Sequence, residues 1–217
     1  MRPPLLLALA SLFAAPFARA QPVRSDTVHF AGVAYPTVII GGQTWFTTNL
    51  STEVFANGDP LAAPRRPRRW VRTDVPAVSP CPWPWGGDVA PGLLYNGYAV
   101  LDPRGLCPAG WRVPSDADWD SLAQHLGPPT QAARQLKSLR WDGDDPLGFA
   151  AHPVGFRSRL DGTHVYAGTF AYFWSSTPQD EGIAVRHLAL HFSHFYRGTQ
   201  DPHMGFSVRC VQDTVPH

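Results

Sequence analysis

His187, His191 and His194 are the residues whose type and spacing first suggest chemistry. On a helix, the first two would stand one turn apart with the third close behind, an arrangement that suits zinc. On a strand, positions four apart are separated by about 13 Å and His194 points to the other face. Metal–nitrogen bonds of about 2.1 Å cannot bridge that. The neighbours decide for the strand: Ala184, Arg186, Leu188, Leu190 and Phe192 alternate and are expected on one face, with the histidines towards solvent. No metal site is therefore assigned to them. Asp142, Asp144 and Asp145 are oxygen-rich, as calcium requires, but lack the spacing of an EF-hand loop. The expectation is no cofactor, with zinc or calcium the ions these two clusters would take.

Other side chains could bind. Arg65, Arg66, Arg68, Arg69 and Arg72 form a basic patch that could hold phosphate or an acidic polysaccharide, although its composition favours a solvated loop around Pro67. Trp83 and Trp85, in a Pro- and Gly-rich stretch, could stack on sugar rings, and packing against the domain's flank is the favoured role. Cys81, Cys107 and Cys210 allow one bridge and leave one thiol over. A nucleophile elbow, a His-Glu-x-x-His zinc motif and a Walker loop are all missing from the sequence, so no catalytic residue is assigned. A formal charge of +1 gives no electrostatic reason to expect nucleic acid.

These residues need elements to position them. Residues 1–20 read as a secretory signal, with Arg2, an apolar run from Leu5 to Phe17, and Ala18-Arg19-Ala20 as the cleavage site after Ala20. The run is short and broken by Pro16, so no membrane span is expected once the signal is removed. Residues 21–28 are expected as a linker, 29–213 as the globular unit, 51–92 as an irregular insertion and 214–217 as a tail. Val38-Ile-Ile40 and Trp45-Phe46 flank Gly41-Gly42, a hairpin signal. Ser115 is placed to cap a helix, with Asp118 completing a variant capping box. Trp119, Leu122, Ala123 and Leu126 follow helical spacing until Gly127-Pro128 stops the run. Thr130 is expected to cap a second short helix, and Asp161-Gly162 to turn a hairpin.

The stretch Cys107-Pro-Ala-Gly-Trp-Arg-Val-Pro-Ser-Asp-Ala-Asp-Trp119 resembles the central motif of the Fibrobacter succinogenes major paralogous domain family. Its structural signature here is Trp111, Pro114, Ser115 and Trp119. The likeness extends to Trp45 with Asn49-Leu50, to Leu93–Val100, which resembles a family strand with Gly97 in place of a bulky aromatic and so implies a strand with a gap or bulge there, to Ala171-Tyr-Phe-Trp174-Ser-Ser-Thr177, and to Gly205-Phe206-Ser-Val-Arg-Cys210-Val211, which resembles the family's final strand. The resemblance implies an α+β, C-type-lectin-like fold with two short helices packed on a mainly antiparallel, loop-rich β-sheet. It also implies that Cys107–Cys210 is the bridge, because lectin-like domains join their helix to the last strand; Cys81–Cys210 is the rival. Sugar-binding C-type lectins surround calcium with Glu-Pro-Asn or Gln-Pro-Asp and Trp-Asn-Asp, and this chain has neither. Formylglycine-generating enzymes share a similar motif, but their paired cysteines are reduced here to Cys210.

The expected function is an exported, non-enzymatic binding or adhesion-type module, secreted, periplasmic or at the cell surface, whose partner is an extracellular glycan or protein. The alternatives are a metal-dependent enzyme using His187, His191 and His194 on a lectin-like scaffold, and a purely structural surface protein.

Overall fold

Arg24–Phe30 (β1) pairs antiparallel with Val33–Ile40 (β2), which turns through Gly41-Gly42 into Gln43–Phe46 (β3). Both glycines have positive φ, 59° and 82°, the geometry a two-residue turn of this hand needs. The computed structural model describes residues 24–83 and 91–213. The signal expected over residues 1–20, the tail at 214–217 and Trp85 lie outside the described residues. The expected linker is in part strand, since β1 begins at Arg24.

The insertion is more regular than its composition suggests. It contains a one-turn helix, Pro67–Val71 (α1), and a short strand, Val78–Pro80 (β4), paired with Leu93–Tyr95 (β5). Trp70 on α1 is buried, its Nε1 donating to the His203 carbonyl at 2.9 Å. The expected strand over 93–100 breaks after Tyr95, where Asn96 caps a second one-turn helix, Gly97–Val100 (α2), by accepting from the Ala99 amide. Gly97 leaves no gap. A Cβ there would lie 2.5 Å from Ile183 and 2.7 Å from Pro202, so the space is already filled.

Trp111–Arg112 (β6) leads into Asp116–Leu126 (α3), the longest helix. Its capping box is complete: Ser115 Oγ accepts from the Asp118 amide at 3.2 Å, and the Asp118 carboxylate accepts from the Ser115 amide at 2.6 Å. Trp119, Leu122 and Leu126 are its buried apolar face. Pro129–Leu136 (α4) starts on Pro129 with no side-chain cap; Thr130 lies inside its first turn and does not cap it. The helices thus number four among the described residues, two of them single turns, where two were expected.

Phe156–Arg157 (β7) and His164–Val165 (β8) pair, but Asp161-Gly162 does not make a two-residue turn between them. Among the two, only Gly162 has positive φ, and six residues separate Arg157 from its partner His164. Phe170–Gln179 (β9), Gly182–Ala189 (β10) and Tyr196–Gln200 (β11) form a three-stranded antiparallel sheet in the order β11-β10-β9. The expected strand over 183–192 ends at Ala189. Val185 and Leu188, on opposite sides of β10, are both fully buried, so it does not have a polar and an apolar face.

Val211–Gln212 (β12) slots between β3 and β6 in a sheet ordered β1-β2-β3-β12-β6. The residues before it are not one continuous strand, although the resemblance implies a final strand over 205–211. Gly205 bridges Arg157, Phe206 bridges Tyr95, and Ser207 bridges Phe173, so this segment stitches three separate elements together. Cys210, just before β12, forms a disulfide with Cys107, leaving Cys81 as a free thiol.

The core has two halves. Tyr35, Phe46, Trp174 and Phe206 belong to one; Trp45, Trp119, Phe149 and Phe173 belong to the other. Trp45 and Phe46 are neighbours in sequence yet enter different halves, as are Phe173 and Trp174. That is the period-two alternation of strands buried on both faces. Trp119 links the helix to the sheet by donating its Nε1 to the Trp174 carbonyl at 3.3 Å.

Candidate binding cleft

An open cleft of about 360 Å³ lies where the end of the insertion meets the loops after α4 and before β7. Trp83, Arg140, Asp142, His152, Pro153 and Leu190 supply most of its wall, with Trp141 beneath. The Trp83 and His152 rings meet in a T-shaped arrangement, centroids 5.8 Å apart and planes at 74°. Trp141 is almost wholly buried, and the Lys137 ammonium lies 5.1 Å from its ring. Lys137, the single lysine among 18 basic residues, is itself buried and donates to the Phe192 carbonyl at 2.8 Å. Burial lowers its pKa, against a smaller opposing pull from the Asp142 charge.

His152 is poised by what lies behind it. Its Nδ1 is 3.1 Å from Ser138 Oγ. Burial, together with the charges of Arg209 and Arg140, pushes its pKa down to about 4, so the ring is neutral near pH 7. The cleft therefore presents an indole ring, apolar Pro153 and Leu190, one neutral imidazole and the exposed charges of Arg140 and Asp142. Such a wall can hold a ligand with both apolar faces and hydrogen-bonding edges.

The chain belongs to the Fibrobacter succinogenes major domain family. The family's description matches residues 38–212, most of the chain. No curated protein and no solved structure shows significant similarity to it.

The sequence-predicted site residues divide as follows. Trp83 lines the cleft; Trp85 lies outside the described residues. The arginines separate: Arg68, Arg69 and Arg72 border a shallow groove beside α1, Arg65 faces a different pocket, and Arg66 is exposed at the start of α1. His187 is not on a solvent face. It is sandwiched between Tyr172 and Tyr196, at 4.8 Å from each ring, and burial lowers its pKa. His191 sits beyond the strand with φ 61° and is largely exposed, 3.8 Å from Asp142. His194 is exposed near Tyr196. Among the described residues, no group of three or more His, Cys, Asp or Glu is arranged to hold a metal.

Arg140, Trp141, His152 and Pro153 were not singled out from the sequence. They carry no shared motif, and they converge only because the loop after α4 folds back against the strand entry. Asp142 was visible, but as a calcium candidate rather than as part of this wall.

Proposed function

We propose that the chain is an exported, non-enzymatic binding module on a lectin-like scaffold, and that it holds a glycan in the Trp83 cleft. The observation that carries this reading is the composition of the cleft wall. Sugars offer flat C–H patches and hydroxyl edges, and Trp83 beside Arg140, Asp142 and neutral His152 offers partners for both. The scaffold reading is supported by the capped helix docked on β9, by the first and last strands sharing the five-stranded sheet, and by the bridge joining the approach to α3 to the residue before the last strand. Export is supported by the apolar run from Leu5 to Phe17 with Ala18-Arg19-Ala20, and a disulfide suits an oxidising compartment.

The metal-enzyme alternative has less support, because His187 is taken up between two tyrosine rings. A purely structural surface protein would have no use for a cleft of mixed polarity. A glycan array probed with the full chain tests the reading, with Trp83→Ala as the comparison. Binding to a defined set of sugars is expected, weakened about tenfold in W83A, roughly 1.4 kcal/mol. Equal binding by both proteins would remove the cleft from the account, and pull-down of proteins without any sugar binding would move the function to protein contacts.

A further inference from the structure

The segment that brings Trp83 to the cleft also walls a second pocket, of about 240 Å³, through Cys81 and Pro82. Arg65, Ser79, Pro80, Arg157 and His164 complete its lining. Arg157 is 2% exposed. Its guanidinium donates to the carbonyls of Pro64 at 3.0 Å and Gly162 at 3.1 Å and to Ser79 Oγ at 2.9 Å, and lies 4.5 Å over the Trp70 ring. Every one of these partners is neutral. Nη2 reaches only the Arg65 carbonyl, at 3.5 Å, the weak limit of a hydrogen bond. Among the described residues no carboxylate pairs with Arg157. Arg209, the other buried arginine held by carbonyls and rings, has the charge of Asp145 acting on it. Arg157 has no such counterweight.

The rest of the wall supplies no negative charge. Ser79 Oγ donates to the Pro80 carbonyl at 3.0 Å and accepts from Arg157, so His164 Nε2, 3.0 Å away, is the donor in its contact with Ser79. Burial and the neighbouring Arg157 charge lower the His164 pKa, while its bond to the Pro80 backbone raises it slightly. The Cys81 thiol, pushed up to about 12 by burial, adds no negative charge. A buried cation without a counterion is unfavourable, and an entering oxyanion would supply both the charge and strong charge-assisted acceptors. The pocket is smaller than the roughly 300–1,000 Å³ of sites that hold whole small molecules, so a substituent fits better than a sugar ring.

We propose that this pocket takes the oxyanion of an acidic sugar, a sulfate ester or a carboxylate, so that the glycan at Trp83 is an acidic one. This assignment of the ligand class rests on the glycan reading of the cleft, whereas the oxyanion site itself does not. Cys81-Pro82-Trp83 places the two subsites side by side, one for a ring and one for its charged group. A bound oxyanion favours protonated His164, so binding strengthens as pH falls.

The test has two arms. In the first, the full chain is titrated with sodium sulfate and with sodium acetate at constant ionic strength, following the His164 ring by NMR. The expected result is a saturable upward shift of the His164 pKa, weakened about tenfold in affinity by Arg65→Glu, a surface change whose fold is checked by circular dichroism. Absence of the shift, or an unchanged R65E, overturns the oxyanion site. In the second arm, dextran, dextran sulfate and polygalacturonate are compared for binding. Preference for the sulfated or the uronate polymer supports the proposal and separates the two oxyanions. Equal, Trp83-dependent binding of neutral dextran overturns the acidic ligand while leaving the glycan reading intact. Ion binding with no polymer bound leaves the oxyanion site standing and defeats the glycan reading.

Discussion

Arg209 is sealed in the core with its guanidinium 4.3 Å over the Phe149 ring and 5.5 Å over Phe173. It donates to Asn49 Oδ1 at 2.8 Å and to the carbonyls of Phe46 and Phe149, and burial pushes its pKa down to about 9. Arg209→Met keeps much of the volume but leaves three buried acceptors without a donor. A loss of about 3–5 kcal/mol is expected from urea unfolding, on the scale of breaking a buried charge network. His203 is a different case, near the surface. Its Nδ1 and Nε2 each lie 2.8 Å from a carboxylate, Asp201 and Asp74, which requires both nitrogens to donate. Burial alone would lower its pKa, but the two carboxylates outweigh that and raise it. The contribution to stability is complete below the unfolded value of about 6.5 and is lost as pH rises through the folded value. The urea midpoint is therefore expected to fall between about pH 6 and pH 8, and to fall less in His203→Ala.

Among the elements, α3 is the one whose start is written most locally. Ser115→Ala removes the acceptor for the Asp118 amide and should cost about 1 kcal/mol, measured by thermal unfolding. Burial of Asp118 favours its neutral form, yet the bonds from Arg112 and Ser115 outweigh this and hold its pKa below the usual range. Its share of the stability is present above the unfolded pKa of about 3.9 and disappears as pH falls through the folded value. The capping box and the Gly41-Gly42 hairpin were legible because each depends on residues within a few positions of itself. The single-turn helices at 67–71 and 97–100 were not. Pro67 is pressed against by Gly162, where a Cβ would come within 2.2 Å of the Pro67 carbonyl, and Trp70 lies under Arg157. Those supports come from far along the chain, so no local pattern announces them. The double burial of β10 was hidden for a similar reason: alternation shows which residues share a face, not whether the other face is covered.

At the scale of the molecule, the Cys107–Cys210 bridge closes a loop spanning 103 residues. In the chain-entropy account this contributes about 4–5 kcal/mol, so replacing both cysteines by serine should lower the urea-unfolding free energy by roughly that amount. An unchanged midpoint would show that the packing around Leu106 and Val208 already holds the two segments together. The candidate cleft was less legible than the fold that carries it. Trp83 could be picked out by type, but its companions come from loops that meet only after the helices and the strand entry have packed, and Arg157 looks like any strand residue until its lack of an acidic neighbour is seen. The place of β12, inserted between β3 and β6, also bears on biosynthesis. The first sheet cannot close until the nascent chain has emerged as far as Gln212, and a message cut short before codon 211 would yield two raw edges open to aggregation instead of a smaller domain.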